Sequence, residues 1–219
     1  MNHISINEIK DWNRFYRANF INCLSGFKPV SLIGSINNEQ IPNLAIFSNI
    51  VHLGADPALI GFINRPHAAS PHTIANIEAT QQFTINHIQS AFLSRAHQTS
   101  AKYETGINEF DETRLTEIYR DNFKAPFVAE SNIQFALELI EIISIKCNGT
   151  FMVIGSLKDV YLNKELIFND GFIDIQKNGS IVSLGIDAYY SCEQVERFEY
   201  ARVNTEPTKK QLIETDKSS

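Results

Sequence analysis

The chain has 219 residues, 43% of them hydrophobic and 20% charged, with a net charge of −6. That length suits one sizeable domain with its own core and is short for two. No window of 18 apolar residues and no basic run occurs, which excludes a helical membrane span and argues against nucleic acid as a partner.

The first twenty residues carry Glu8, Lys10, Asp11 and Arg14 where a secretory leader would be apolar, so a cytoplasmic protein is expected. Ile9, Trp12, Phe15, Tyr16, Phe20 and Cys23 fall close to helical spacing, which predicts an opening helix that ends at Gly26 and Pro29. "VSLIGSI", "NLAIFSNI" and "ALIGFIN" are three short β-rich runs separated by the turn-like "NNEQIP" and "GADP". A helix is predicted next, in "SPHTIANIEAT", with Ser70 as its cap, Pro71 in its first position and Ile74 and Ile77 buried. "QFTINHI" reads as a strand, "AFLSRAHQTSA" as a helix and 102–131 as a long irregular connection. Two long strands then flank Asn148-Gly149, a strong hairpin signal.

In the first of these, Ile133, Phe135, Leu137 and Leu139 share one face, and Ile140 and Ile142 make the other face apolar as well. Such a strand is either central or covered by a partner subunit. The Gly-rich stretch 168–190 reads as mostly loop, and the tail after Tyr200 as loosely held. Three segments follow: an N-terminal helical part at 1–25, the main domain at 26–200 and a polar tail at 201–219. Strands dominate and their links are short, so the fold class expected is mainly β, an antiparallel barrel with inserted helices. Cys23, Cys147 and Cys192 are far apart and form no C-x-x-C; three inert core thiols are expected.

Several chemistries have no motif here. There is no G-x-G-x-x-G after a strand, no P-loop, no H-E-x-x-H and no G-x-S-x-G. The six histidines show no i, i+4 pair on a helical face, so no metal site is expected. What remains is the start of the helix at Ser70. A helix N-terminus offers unpaired N–H donors and partial positive charge, and it binds phosphate readily. Arg65, His72, Ser70 and Thr73 surround this one. The alternative is a simple serine cap with surface residues nearby.

The order of these parts resembles the flavin reductase-like family over about residues 26–190. The resemblance rests on "KPVSLIGSINNEQIPNLAIFSNI", "GADPALIGFINRP", "RPHAASPHTIAN", "FTIN" with "AHQTSAKYETGINEF", and "SLGIDAYY", in that order. It implies a Greek-key split barrel that binds FMN (FAD being the alternative) between the subunits of a homodimer. On the matching positions it implies that Arg65, Ser70 and Thr73 hold the phosphate, with His72 where the family has lysine. Phe47, Ser48 and Asn49 would lie along the isoalloxazine, largely through backbone groups. Thr99 and Ser100 would reach the flavin, and Gly185 and Tyr189 would close over it. Asn43 and Asn86 would be structural or lie near the ribityl chain. The implied activity is hydride transfer from NADH or NADPH to flavin, with free flavin, oxygen or another protein as acceptor. The alternatives are a non-catalytic flavin-binding module and a flavoprotein with another electron donor.

Overall fold

The computed structural model describes residues 1–66 and 71–210. Ser70, the expected helix cap, lies outside them. The opening helix is two helices, α1 (Ile6–Asp11) and α2 (Arg14–Leu24). Asn13 divides them because its Oδ1 accepts the Phe15 N–H at 2.9 Å, which caps a new helix. Trp12 fills the bend, edge-on to Tyr16 and Phe20. No residue of α2 is buried.

The strands that follow are β1 (Lys28–Pro29), β2 (Ser31–Ile36), β3 (Pro42–Phe47), β4 (Ile50–Ala55) and β5 (Ala58–Asn64). Helix α3 (Pro71–Thr80) begins at the proline, as expected, and buries Ile74 and Ile77. Then come β6 (Gln82–His87), α4 (Leu93–Gln98), α5 (Glu109–Thr113), β7 (Glu117–Ile118) and β8 (Phe127–Val128). The chain ends in β9 (Ile133–Ile145), β10 (Thr150–Leu162), β11 (Ile181–Leu184) and β12 (Ala188–Ser191).

Seven strands form one antiparallel sheet in the order β3-β2-β6-β9-β10-β5-β4. Its concave side closes over a core of Ile33, Phe62, Ile74, Ile77, Phe83, Ile85, Leu137 and Val153. All six residues of β2 are buried, because helices or loops cover both of its faces. Gly34 allows that: a Cβ there would fall 2.1 Å from the Pro126 carbonyl oxygen. A second, three-stranded sheet, β1-β11-β12, packs against α4 and α5 over Val30, Leu44, Phe92, Phe110 and Ile181. This architecture is mainly β and antiparallel, as expected.

Two local expectations need correction, and the long strand β9 is central in its sheet, one of the two alternatives expected. The stretch 168–190 is not mostly loop, since it contains β11 and β12. Its glycines sit in the turns, Gly179 and Gly185 at positive φ, and "SIVSL" between them makes the strand. The thiols are not in the core: Cys23 is half-buried, and Cys147 and Cys192 are exposed. In β9 only the first half is covered. Ile133 to Leu137 are buried between β6 and β10, whereas Ile140 is 59% and Ile143 40% exposed.

The tail turns back on the domain. Lys210 and Arg197 both pair with Asp170 at 2.6 Å, and Lys209 pairs with Glu196. Among the described residues no helix is long and apolar enough to cross a membrane.

His87, at the end of β6, lies edge-on to Phe135. Asn178 Nδ2 donates to Ser180 Oγ at 2.9 Å, and that oxygen lies 3.0 Å from His87 Nδ1. The serine hydroxyl is thus free to donate to an unprotonated Nδ1. Burial lowers the imidazole from 6.5 to about 4. A native pKa below the unfolded one favours the neutral form, so its stabilisation is full above pH 6.5. It is lost as pH falls toward 4, by roughly 2–3 kcal/mol. Urea unfolding of His87→Gln should show a shallower loss of stability than wild type between pH 6.5 and 4; parallel curves would refute this.

Candidate active site

A cleft of about 510 Å³ opens between the two sheets, within the range of about 300–1,000 Å³ usual for small-molecule sites. Strand β3 lines its length, contributing Asn43, Ala45, Ile46 and Phe47. From Asn43 to Phe47 this strand spans roughly 13 Å. As an edge strand it has backbone groups on one side that no strand covers. The Leu44 N–H points outward there and donates to Glu109 Oε2 at 3.0 Å. By the two-residue period of a strand, the backbone groups of Ile46 face the same way, into the cleft.

The first turn of α3 meets one end of β3. Asn43 Nδ2 donates to Thr73 Oγ1 at 3.1 Å and lies 3.3 Å from Ser35 Oγ. Thr73 is 1% exposed; its hydroxyl accepts from Asn43, and its own proton has no acceptor among the described residues. His72, the next residue out, has Nε2 3.2 Å from Thr105 Oγ1, which ties the helix start to the loop after α4. Arg65 and Lys102 also line the cleft. Neither is in an ion pair among the described residues. The acid among the lining residues is Glu109, 5% exposed. Burial raises its pKa, partly opposed by the N–H bonds from Leu44 and from its own backbone. In a protein of net charge −6, the cleft is therefore locally basic.

The other end holds Phe47, Ser48, Asn49, Val30, Ser183, Gly185 and Tyr189. The Phe47 ring is packed edge-on to Phe62 in the core, so this residue offers the cleft its backbone. The Tyr189 hydroxyl lies 2.7 Å from His97 Nδ1, with the rings nearly perpendicular. Burial, then the Asp187 charge, raises the Tyr189 pKa. Thr99 and Ser100 follow α4 on the cleft wall. The Thr99 hydroxyl donates to Ala96 O at 2.7 Å, so its proton is engaged within the helix end.

The structure thus brings Phe47, Ser48, Asn49, Arg65, His72, Thr73, Thr99, Ser100, Gly185 and Tyr189 to one cleft. Asn86 is elsewhere. It is fully buried, with Nδ2 on Leu32 O and Oδ1 accepting the Val128 N–H, a structural role. Sequence reasoning missed Lys102, Glu109 and Ser183. For Glu109 a signal existed: Asn108 before "EFDET" is a helix cap with an acidic first turn. Lys102 and Ser183 have no local signal, since only the folding of distant segments brings them to the cleft.

A basic cleft along an open strand edge, between the two sheets of an antiparallel barrel, makes this a split β-barrel. Residues 27–176 match the model of the flavin reductase like domain, and the chain belongs to that family. A crystal structure of a candidate flavin reductase with a split barrel domain, from Shewanella frigidimarina NCIMB 400, is 41% identical. It superposes with a TM-score of 0.89 over 92% of this chain and 100% of that one. An FMN-binding protein from Thermus thermophilus shares the fold at 14% identity, with a TM-score of 0.61 over 75% of this chain and 85% of that one. An uncharacterised Aquifex aeolicus (strain VF5) protein is 24% identical over 120 residues, which is 54% of this chain and 61% of that protein.

Gly185 joins the cleft to α2. Its φ is +66°, and a Cβ there would lie 3.2 Å from both Asn19 Oδ1 and Cys23 Sγ. Gly185→Ala should cost about 1–2 kcal/mol and loosen α2. Mass spectrometry after pulsed thiol labelling should show Cys23 reacting faster; an unchanged rate would mean that α2 is not held there.

Proposed function

We propose that the cleft binds FMN and that the protein is an NAD(P)H-dependent flavin reductase. The observation that carries this is the polarity of the cleft along β3. Arg65, Lys102 and the start of α3 supply positive charge and donors, and the Ile46 edge offers backbone hydrogen bonds alongside. Among the described residues, a guanidinium and an ammonium without an ion-pair partner and a threonine proton without an acceptor suit a phosphate dianion. A strand edge with alternating N–H and C=O suits a planar ring that carries both donors and acceptors. The residues present therefore fit the cofactor.

Bound FMN would supply the hydride-accepting chemistry, which explains why the cleft needs no catalytic dyad of its own. The chain's contribution is to bind and orient. Arg65 and Lys102 would neutralise the phosphate, with His72 held beside it by Thr105. Thr73 would donate its hydroxyl proton to it while Asn43 fixes that hydroxyl. The backbone of Ile46 to Asn49 would align the ring, and Tyr189, steadied by His97, would border it. The cleft's open side would admit nicotinamide to within reach of the ring, so that proximity is the main catalytic effect.

An absorbance spectrum with added FMN, before and after anaerobic NADH or NADPH, tests the reading. Bound flavin that bleaches rapidly is expected. Bound flavin that stays oxidised would point to a binding module or another donor, and no binding would end the proposal. Arg65→Ala should weaken FMN binding about tenfold, the loss of one charge-assisted contact.

The working form is proposed to be a homodimer. The support is the uncovered outer half of β9, where Ile140 and Ile143 stand exposed as part of an apolar face. Light scattering should give twice 24.8 kDa for the wild type and a shift toward monomer for an Ile140→Glu, Ile143→Glu variant; a monomeric wild type would rule the dimer out.

A further inference from the structure

We propose that Ser183 is a ligand-binding residue of the cleft, hydrogen-bonding the heteroatom-bearing edge of a flavin ring; this rests on the reading of the cleft as a flavin site. Ser183 lies in the middle of the second sheet, paired with Lys28 of β1 on one side and Tyr189 of β12 on the other. It shares a face with buried Ile181, two residues before it, and it lines the cleft. The residue is 3% exposed, and its hydroxyl has no hydrogen-bond partner among the described residues. A buried hydroxyl without a partner is unfavourable, and native proteins rarely keep one without a use.

The neighbours do not supply that partner. The Tyr189 hydroxyl is engaged with His97. Lys28 Nζ donates to Asn22 O and Gly185 O, at 2.9 and 3.3 Å. A serine on a strand has three staggered χ1 wells, so its Oγ can turn toward an atom in the cleft. Ser183 is at the Phe47 end, because Val30 and Ser31 lead from β1 to the position that pairs with Phe47. The start of α3, with its N-terminal donors, lies at the Asn43 end, where Thr73 meets β3. The geometry therefore matches Ser183 with the ring and not with the phosphate.

The test uses the full chain freed of flavin, with Ser183→Ala and Arg65→Ala as variants and FMN and riboflavin as probes. Affinity is read from flavin fluorescence and stability from thermal melting without ligand. Ser183→Ala should weaken both probes by the same factor, ~5–10-fold for one hydrogen bond, while its ligand-free melting temperature stays level or rises. Arg65→Ala should weaken FMN and leave riboflavin unchanged. Unchanged affinity for both probes in Ser183→Ala would overturn the proposal, as would a loss confined to FMN, which would put the contact at the phosphate. A lower ligand-free melting temperature would also overturn it, since the hydroxyl would then have a structural partner. A wild type that binds neither probe would instead remove the flavin reading itself, and with it the role given to Ser183.

Discussion

The edge of β3 must stay open without being left unsatisfied, and the rest of the site depends on how that is achieved. An uncovered strand edge in a protein interior leaves N–H and C=O groups that cost free energy unless they are paired. Here Glu109 takes the Leu44 N–H with a carboxylate oxygen, and Asn43 bridges to Thr73 and Ser35. One buried acid therefore closes the edge at Leu44, while the Asn43 amide fastens the strand to α3 through side-chain bonds. The second half, at Ile46, is left facing the cleft. The same two residues bind α5 and α3 to β3, so the edge, the helix start and the cleft wall are positioned together.

Charge is distributed to match. The protein as a whole is acidic, yet Arg65 and Lys102 reach the cleft from two different connections and His72 from the start of α3. Basic side chains in a concave, partly desolvated site attract an anion more strongly than they would on a flat surface. One acid, Glu109, stands against Arg65 and Lys102 in the cleft lining. Its carboxylate accepts the Leu44 N–H, and burial raises its pKa. The acid acts as a fastener for the strand edge, and the bases remain free to meet a ligand.

The second sheet shows how little material is needed to finish the site. β1 has two residues and β11 and β12 four each, but they bring Ser183, Gly185 and Tyr189 to the far end of the cleft. Gly185 turns with positive φ and lets α2 approach closely. Tyr189 is steadied from α4 by His97. Helix α2 buries none of its own residues, so its contact at Gly185 serves the cleft wall more than the core.

Much of the barrel was legible in the sequence. Alternation and short β-branched runs mark β2, β3 and β5, Asn148-Gly149 marks the long hairpin, and Pro71 with Ile74 and Ile77 marks α3. These signals are local: strand period, turn chemistry and helix capping are set by residues a few positions apart. Other features were not legible for the same reason. "SIVSL" is too short to stand out among glycines, and its strand character comes from pairing with β1, more than 150 residues earlier. The exposure of Cys147 and Cys192 and the bare outer half of β9 are properties of where the chain ends up, which side-chain type does not reveal. By itself the sequence determined the fold class, the helix start and the kinds of residue around it. Tertiary structure alone decided that Lys102, Glu109 and Ser183 share a cleft with them. Burial, unpaired donors and opposing charges arise only when distant segments are packed against one another.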